Sequence, residues 1–393
     1  MKLLQVYNDY RTFCGGEGAV VRRIASIVEK HGGTASLVTR TSKGLDRGLA
    51  SKVHAFACGI YNYSAKREMA KTLEAERPDL VHVHNLYPLF SPSVLVACRR
   101  ARLPVVMTNH NYVLTCPVSN HLSKGRVCEK CMGGHEHWCL WQNCRGNPAE
   151  SLAYALRSFT ARKGRFFYDD VAIQIVLSNF AKQRLIRAGF DEERIAVLPN
   201  MVAMGPQRED SPAGTYAAYS GRMMAEKGVD VLLAAAARLP EVALRLAGDG
   251  NLLAELSSVA PVNASFVNRL GPQEMVSFYR GARFLVVPSN WFEGCPLVVS
   301  EAMSHGLPVI ASRIGSLPEF VEDGVTGLLF EPGHVDDLVK KIRLLWERPD
   351  LCRRMGEAGR AKAKLEYGEE TYYRRLMSIY DRAIEIQSQG TSR

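Results

Sequence analysis

The stretch "WFEGCPLVVSEAMSHGLPVI" (291–310) holds two glutamates, Glu293 and Glu301, eight residues apart around a glycine, a proline and an apolar run. It follows "RFLVVPS" (283–289), an apolar, β-branched run that reads as a buried strand. Pro296 suits the first turn of a helix, where its missing N–H costs nothing. Gly306 suits the position just past the end of "LVVSEAMSHG". On that reading Glu293 lies in the loop before a helix and Glu301 inside it. The amides of Gly294, Cys295 and Leu297 crowd the helix N-terminus, which attracts phosphate or polarised sugar oxygens. Two carboxylates flanking such a turn can accept hydrogen bonds from hydroxyls, one holding a sugar and the other a ribose. The competing reading makes Glu293 a helix cap and Glu301 a solvated charge.

The same strand-then-helix alternation runs through the chain. "KLLQVYN" (2–8) precedes "GAVVRRIASIVEKHGG" (18–33), and "LVHVHN", "PVVMTNH", "VAIQIVLS" and "IAVLPN" follow at βαβ spacing. "MVAMGPQREDSPAG" (201–214) mixes Pro, Gly and charge without periodicity and reads as a linker. A second series then starts at "YAAYSG" (216–221) and runs to "TGLLFE" (326–331). At 393 residues, two domains are the natural expectation. We place them at 1–200 and 201–368, both Rossmann-like α/β, with a segment 369–393 returning to pack on the first. Ligands of doubly wound sheets bind beyond the carboxyl ends of the strands, so the site is expected in the cleft between the domains.

Two further loops sit at strand ends. "SGRMMAEKG" (220–228) offers Arg222 and Lys227, cations suited to a diphosphate leaving group. "LAGDGN" (246–251) offers Gly248, which would let the backbone approach a flat ligand closely.

Taken in order, "SGRMMAEKG", "LAGDG" and "EGCPLVVSEAMSHGLPVIAS" resemble the donor half of the retaining glycosyltransferases of family 4, which have the GT-B fold. The likeness extends through "GSLPEFVEDGVTGLLFEPG" (315–333) and to the N-terminal "GGEG" (15–18). It implies that Arg222 and Lys227 bind the donor diphosphate, Glu301 the ribose hydroxyls and Glu293 the transferred sugar. The turn at Gly294, Cys295, Pro296 and Leu297 resembles the segment whose amides meet sugar and phosphate. Gly15 and Gly16 would face the diphosphate across the cleft, and His110 would lie near the donor sugar. From the residues alone, His110 is only a histidine after a strand, and a packed role fits it equally. Many relatives carry a bulkier apolar residue at Cys295, which leaves the choice of sugar open. The resemblance implies a nucleoside-diphosphate sugar donor, a saccharide or glycolipid acceptor, retention at the anomeric carbon and no catalytic metal. No Asp-x-Asp metal motif appears at the strand ends.

Five of the ten cysteines lie in "CPVSNHLSKGRVCEKCMGGHEHWCLWQNC" (116–144). A C-x-x-C turn presents two thiolates to one tetrahedral zinc. A structural zinc on Cys128, Cys131, Cys139 and Cys144 is therefore expected, with Cys116, His121, His135 and His137 as rival ligands. Reduced thiols in a loop are the plainer reading.

Charge is uneven. Residues 1–200 hold 28 Lys+Arg against 16 Asp+Glu, or +12, and 201–393 hold 22 against 24, or −2. The basic half favours anionic partners. "SLAYALRSFTARKGRFFYDD" (151–170), with Arg157, Arg162, Lys163 and Arg165, reads as a basic amphipathic helix able to lie on an anionic membrane. The alternative is an ordinary surface helix. "MKLLQVYNDY" reads as a strand rather than an export signal, and no apolar run reaches membrane-spanning length. A cytoplasmic enzyme, peripheral on the membrane's inner face, is the expectation. Two rivals stand beside it: a non-hydrolysing nucleotide-sugar epimerase on the same fold, and a zinc-containing nucleic-acid binder. The second leaves the donor-like loops unexplained.

Overall fold

The computed structural model describes residues 1–9, 16–42, 48–206 and 214–391. They divide into two units. One comprises Met1–Ser123, Cys128–Pro199 and Tyr372–Arg393, the other Lys124–Val127 and Asn200–Thr371. The change of unit at Pro199 precedes the expected linker, whose residues 207–213 lie outside the described residues.

In chain order the strands are β1 (Lys2–Asp9), β2 (Thr34–Thr41), β3 (Leu80–Asn85), β4 (Val105–Asn109), β5 (Leu122–Ser123), β6 (Arg126–Val127), β7 (Ile173–Val176), β8 (Ile195–Val197), β9 (Tyr216–Ser220), β10 (Leu244–Ala247), β11 (Ala264–Phe266), β12 (Ala282–Val287), β13 (Val309–Ser312) and β14 (Gly327–Phe330). The first unit's sheet has the order β2-β1-β3-β4-β7-β8, all parallel. Helices cover both faces of such a sheet, so its inner strands are buried throughout, and β3 and β4 are buried at every position. Yet β3 reads "LVHVHN" and carries two histidines into that interior. Polar groups persist there only when hydrogen-bonded.

The C-terminal helix Glu369–Thr391 buries Tyr372, Leu376, Tyr380 and Ala383, one stripe at helical spacing. The Tyr380 hydroxyl meets Nδ1 of His82 on β3 at 2.7 Å. The returning segment therefore packs on the first unit, as its sequence led us to expect.

The second unit's sheet has the order β11-β10-β9-β12-β13-β14, also parallel. Strand order reverses at β9, with β10 on one side and β12 on the other. A crevice opens at such a point beyond the strands' carboxyl ends. One face of the sheet packs Leu232, Leu246, Phe284 and Phe330 against helix Val335–Glu347; the other packs Leu285, Val299, Met303 and Tyr367. β5 and β6 form a separate two-stranded sheet.

Candidate functional site

Four strand-end loops of the second unit build one corner. After β12 the chain reaches Glu293, which is buried. Its Oε1 accepts from Ser289 Oγ at 2.6 Å, from Lys227 Nζ at 2.7 Å and from Trp291 Nε1 at 2.9 Å. Burial alone would raise this carboxyl's pKa. The Lys227 cation and the hydrogen bonds from Lys227, Ser289 and Trp291 outweigh burial and hold it below the ordinary carboxylate value. The loop after β13 closes the other side: Ser316 Oγ donates to the Glu293 carbonyl at 2.7 Å. Gly315 has φ +60, and a Cβ there would stand 2.9 Å from Phe292 Cα.

The helix Leu297–Ser304 starts immediately beyond. Pro296 is its N-cap, with φ −72 and ψ 97, one position earlier than its expected place in the first turn. A proline cap has no side-chain oxygen to offer, and none caps this helix. Its first amides are therefore unsatisfied by side chains and favour negative charge. Gly294, Cys295 and Leu297 are part-buried here. Burial pushes the Cys295 thiol up to about 12, against hydrogen bonding from Asn200. Glu301, a turn inside the helix, accepts from the Tyr279 hydroxyl at 3.3 Å. Tyr279 is itself buried and also hydrogen-bonds Ser220, the last residue of β9. Burial first, and then Glu301, keep its phenol fully protonated.

The loop after β9 brings the cations. Lys227 pairs with Glu293, and its Nζ lies 5.2 Å from the centre of the Trp291 ring. Arg222 lies 3.6 Å from Glu226 and is about one-third exposed. Its carbonyl accepts from the buried Tyr219 hydroxyl at 2.8 Å. Gly248, after β10, has φ +143, and a Cβ there would stand 1.8 Å from the Gly221 carbonyl oxygen. The two loops are stitched by Met223 N–H to Asp249 O at 2.7 Å. The glycine is thus required by the neighbouring loop's backbone, a reason separate from the ligand approach expected from the sequence.

In the first unit, His110 follows β4 directly and is part-buried. Its Nε2 lies 3.1 Å from His84 Nδ1, and burial pushes its pKa down to about 4. Gly16 opens the helix Gly16–Lys30 and is exposed. Gly15 lies outside the described residues. Glu17, next in that helix, is raised to about 7 by burial.

The cysteine segment draws together. Burial and the proximity of Cys116, Cys139, Cys144 and Cys128 raise the Cys131 pKa, while Cys139 is pushed to about 12 by burial and by Cys144, to which it hydrogen-bonds. Among the described residues, no group of three or more His, Cys, Asp or Glu is arranged to hold a metal ion. His121 is engaged at both nitrogens, by Thr115 Oγ1 at 2.8 Å and Cys128 O at 3.1 Å. The expectation of a zinc on Cys128, Cys131, Cys139 and Cys144 rests on their spacing.

The 151–170 stretch forms the helix Pro148–Lys163 and a short turn Phe166–Asp169. Leu152, Leu156 and Phe159 are exposed along one stripe, with Lys163 beyond them. Its basic residues divide: Lys163 and Arg165 are exposed, whereas Arg157 and Arg162 are engaged within the unit. Arg157 is buried, donates to Pro117 O at 2.8 Å and stacks over Tyr87 and Tyr154. Arg162 pairs with Glu136 at 2.6 Å and Arg165 with Asp169 at 2.9 Å. A guanidinium's planar fork favours such fixed pairing and stacking over solvent.

Sequence reasoning passed over Ser289, Trp291, Ser316 and Tyr279. Ser289 and Trp291 stood beside Glu293 in a strand-end loop, a usable signal. Ser316 and Tyr279 carried none, since only the sheet order brings them there.

Comparison with known proteins agrees with the fold. Residues 14–204 match the family model Glycosyltransferase Family 4, and residues 207–362 match Glycosyl transferases group 1. An uncharacterized glycosyltransferase of Methanocaldococcus jannaschii is 32% identical over 252 residues, covering 58% of this chain and 70% of that protein. A D-inositol 3-phosphate glycosyltransferase of Streptomyces griseus is 27% identical over 365 residues, covering 83% and 74%. Against the sulfoquinovosyl transferase SQD2 of Arabidopsis thaliana the match is 35% over 150 residues, 37% of this chain, and the chain spans only 29% of that protein's length. Among solved structures, sucrose-phosphate synthase of Thermosynechococcus elongatus superposes with a TM-score of 0.69 at 18% identity, covering 97% of this chain and 98% of that one. Anabaena Alr3699/HepE, solved with UDP and glucose, superposes with a TM-score of 0.67 at 18% identity, covering 96% and 98%.

Proposed function

The chain belongs to the family 4 glycosyltransferases and has the GT-B fold, and from that premise we propose that it is a retaining enzyme moving a sugar from a nucleoside-diphosphate sugar to an acceptor hydroxyl. The observation that carries this reading is the Glu293 corner. An ionised carboxylate held by Lys227, Ser289 and Trp291 stands beside a helix N-terminus that no side chain caps.

In this reading the donor diphosphate lies against the first amides of the helix Leu297–Ser304, where helix dipole and N–H groups favour negative charge. Lys227 and Arg222 stabilise the charge that grows on the leaving phosphate. Glu293 accepts from hydroxyls of the transferred sugar, and Glu301 from the ribose hydroxyls. His110 is assigned to the transferred sugar. Retention follows from attack on the same face as the departing diphosphate, whose oxygen takes the acceptor's proton. The new glycosidic bond replaces the sugar–phosphate bond, and the nucleoside diphosphate leaves with that proton. The protein contributes position and electrostatics, and no metal is assigned a step. HepE was solved with UDP and glucose, so uridine nucleotides are the first donors to test.

The acceptor is proposed to be a saccharide or glycolipid hydroxyl in surface polysaccharide or glycolipid synthesis. The exposed Leu152, Leu156 and Phe159, with the +12 of residues 1–200, support contact with an anionic membrane surface. Co-sedimentation with anionic vesicles, lost in Leu156→Asp/Phe159→Asp, tests that part.

Thermal-shift screening against UDP-, GDP-, ADP- and dTDP-sugars tests the whole, because a ligand of the native state raises Tm by mass action. One donor should stabilise the protein, and Glu301→Ala should weaken that shift. Release of free nucleoside diphosphate should require an acceptor, which separates transfer from epimerisation. Equal shifts in wild type and Glu301→Ala would overturn the ribose assignment.

A further inference from the structure

His84 lies on β3, His110 follows β4, and Gln5 lies on β1. These three strands are neighbours in the order β1-β3-β4. Gln5 Nε2 donates to the Val21 carbonyl at 3.2 Å. That bond fixes which way the amide points. Gln5 Oε1 then faces His84 Nε2 at 3.0 Å, and a carbonyl oxygen can only accept. His84 Nε2 therefore carries the proton.

A neutral imidazole has one N–H. Burial, with the neighbouring rings of His82 and His110, keeps the His84 pKa well below its ordinary value. With its one proton on Nε2, His84 presents a lone pair at Nδ1. Across 3.1 Å stands Nε2 of His110, which must supply the hydrogen. The proton of His110 is thus assigned to Nε2 by a chain of bonds starting at a main-chain carbonyl of the helix Gly16–Lys30. The third ring, His82, lies tilted 4.1 Å from His84 but is closed off by Tyr380 and Thr108, each at 2.7 Å.

We propose that Gln5 and His84 are positioning residues that lock His110 as the Nε2–H tautomer, so that its Nδ1 offers a lone pair to a hydroxyl of the bound sugar. The sugar contact rests on the donor reading given above; the tautomer does not. The consequence is selectivity for a hydrogen-bond donor at that place on the sugar. A site that presents only an acceptor rejects an analogue lacking the hydroxyl, because the buried nitrogen is left unpaired.

Long-range ¹H–¹⁵N correlation spectra of the full ¹⁵N-labelled chain at pH 7.5 read the tautomer of each imidazole directly. Wild type should show Nε2–H at both His84 and His110. His84→Phe should release His110 into a mixture that includes Nδ1–H. His84→Asn, whose Oδ1 lies near the place of Nδ1, should restore Nε2–H. Gln5→Met serves as a second variant, freeing the His84 proton without touching the ring. With the donor identified by thermal shift, His84→Phe should lower kcat by about tenfold, the worth of one hydrogen bond. The donor's thermal shift should be retained, and His84→Asn should recover most of the rate. Nδ1–H at His110 in wild type, or an unchanged tautomer in both His84→Phe and Gln5→Met, would overturn the proposal. If the tautomers behave as stated while no nucleotide-sugar shifts Tm, the positioning device stands and the glycosyltransferase reading of the site fails.

Discussion

Lys227 and Glu293, 66 positions apart in the chain, meet as a 2.7 Å ion pair in which both side chains are largely withdrawn from water. The pair joins the loop after β9 to the loop after β12, across the reversal of strand order. Taking two charges out of water is costly, and their attraction repays it only when other hydrogen bonds complete the site. Ser289 and Trp291 supply those bonds on the same oxygen.

Removing one partner should expose that cost. Glu293→Gln leaves the Lys227 charge nearly buried and should destabilise the second unit by about 3 kcal/mol, read by urea denaturation. It should also lower kcat/KM by about 10²-fold, the scale of one lost electrostatic contact in a preorganised site. Adding Lys227→Met should recover part of the stability and none of the activity. Strictly additive stabilities across this double-mutant cycle would show that the pair does not couple.

Gly248→Ala places a Cβ 1.8 Å from the Gly221 carbonyl at a φ of +143. The loops after β9 and β10 must part, and a loss of about 3 kcal/mol follows from combined clash and backbone strain. Because Arg222 rides on the first loop, any donor-induced thermal shift should fall as well. A variant as stable as wild type would mean the loops yield easily.

Acidification should weaken the first unit. His82 and His110 are pushed down by burial, to about 3 and about 4, from an ordinary 6.5. Between the unfolded and folded values the unfolded chain binds more protons, so stability rises with pH across that window. Stability is therefore intact above about 6.5 and falls as pH drops toward 4. Denaturation from pH 8 to 4.5 should show this slope, reduced by about one proton in His110→Asn. Glu293, held low, should lose its own contribution only below the ordinary carboxylate value of 4.5.

The Cys295 thiol, at about 12, is almost wholly protonated at neutral pH. Since the thiolate is the nucleophile, alkylation at pH 7.5 should run about 10³-fold slower than at a free cysteine of pKa about 8.5. Peptide mapping after iodoacetamide measures it, and rapid labelling of the folded chain would contradict the burial of this thiol.

Much of this was legible in single stretches. "RFLVVPS" declared a buried strand because four apolar residues run together, and "EGCPLVVSEAMSHG" declared a helix start because proline and glycine bracket it. Gly248 was marked as special for the approach of a ligand, and the stretch gave no sign of the Gly221 carbonyl that also requires a glycine there. The helix Pro148–Lys163 shows the reverse failure. Its arginines looked like a basic face, because a sequence displays charge and hides the partner that neutralises it. Arg157 is buried over two tyrosines and Arg162 lies against Glu136.

By itself, the amino-acid order determined two βα series, the loops that follow their strands and the pair of glutamates around a helix start. These are local properties, set by side-chain periodicity and by the backbone limits of proline and glycine. Only the tertiary structure decided that Lys227, Ser289 and Trp291 converge on one oxygen of Glu293, and that Gln5, His84 and His110 share one line of protons. Those meetings depend on which strands lie side by side, and strand order is fixed by burial of the whole sheet rather than by any stretch within it.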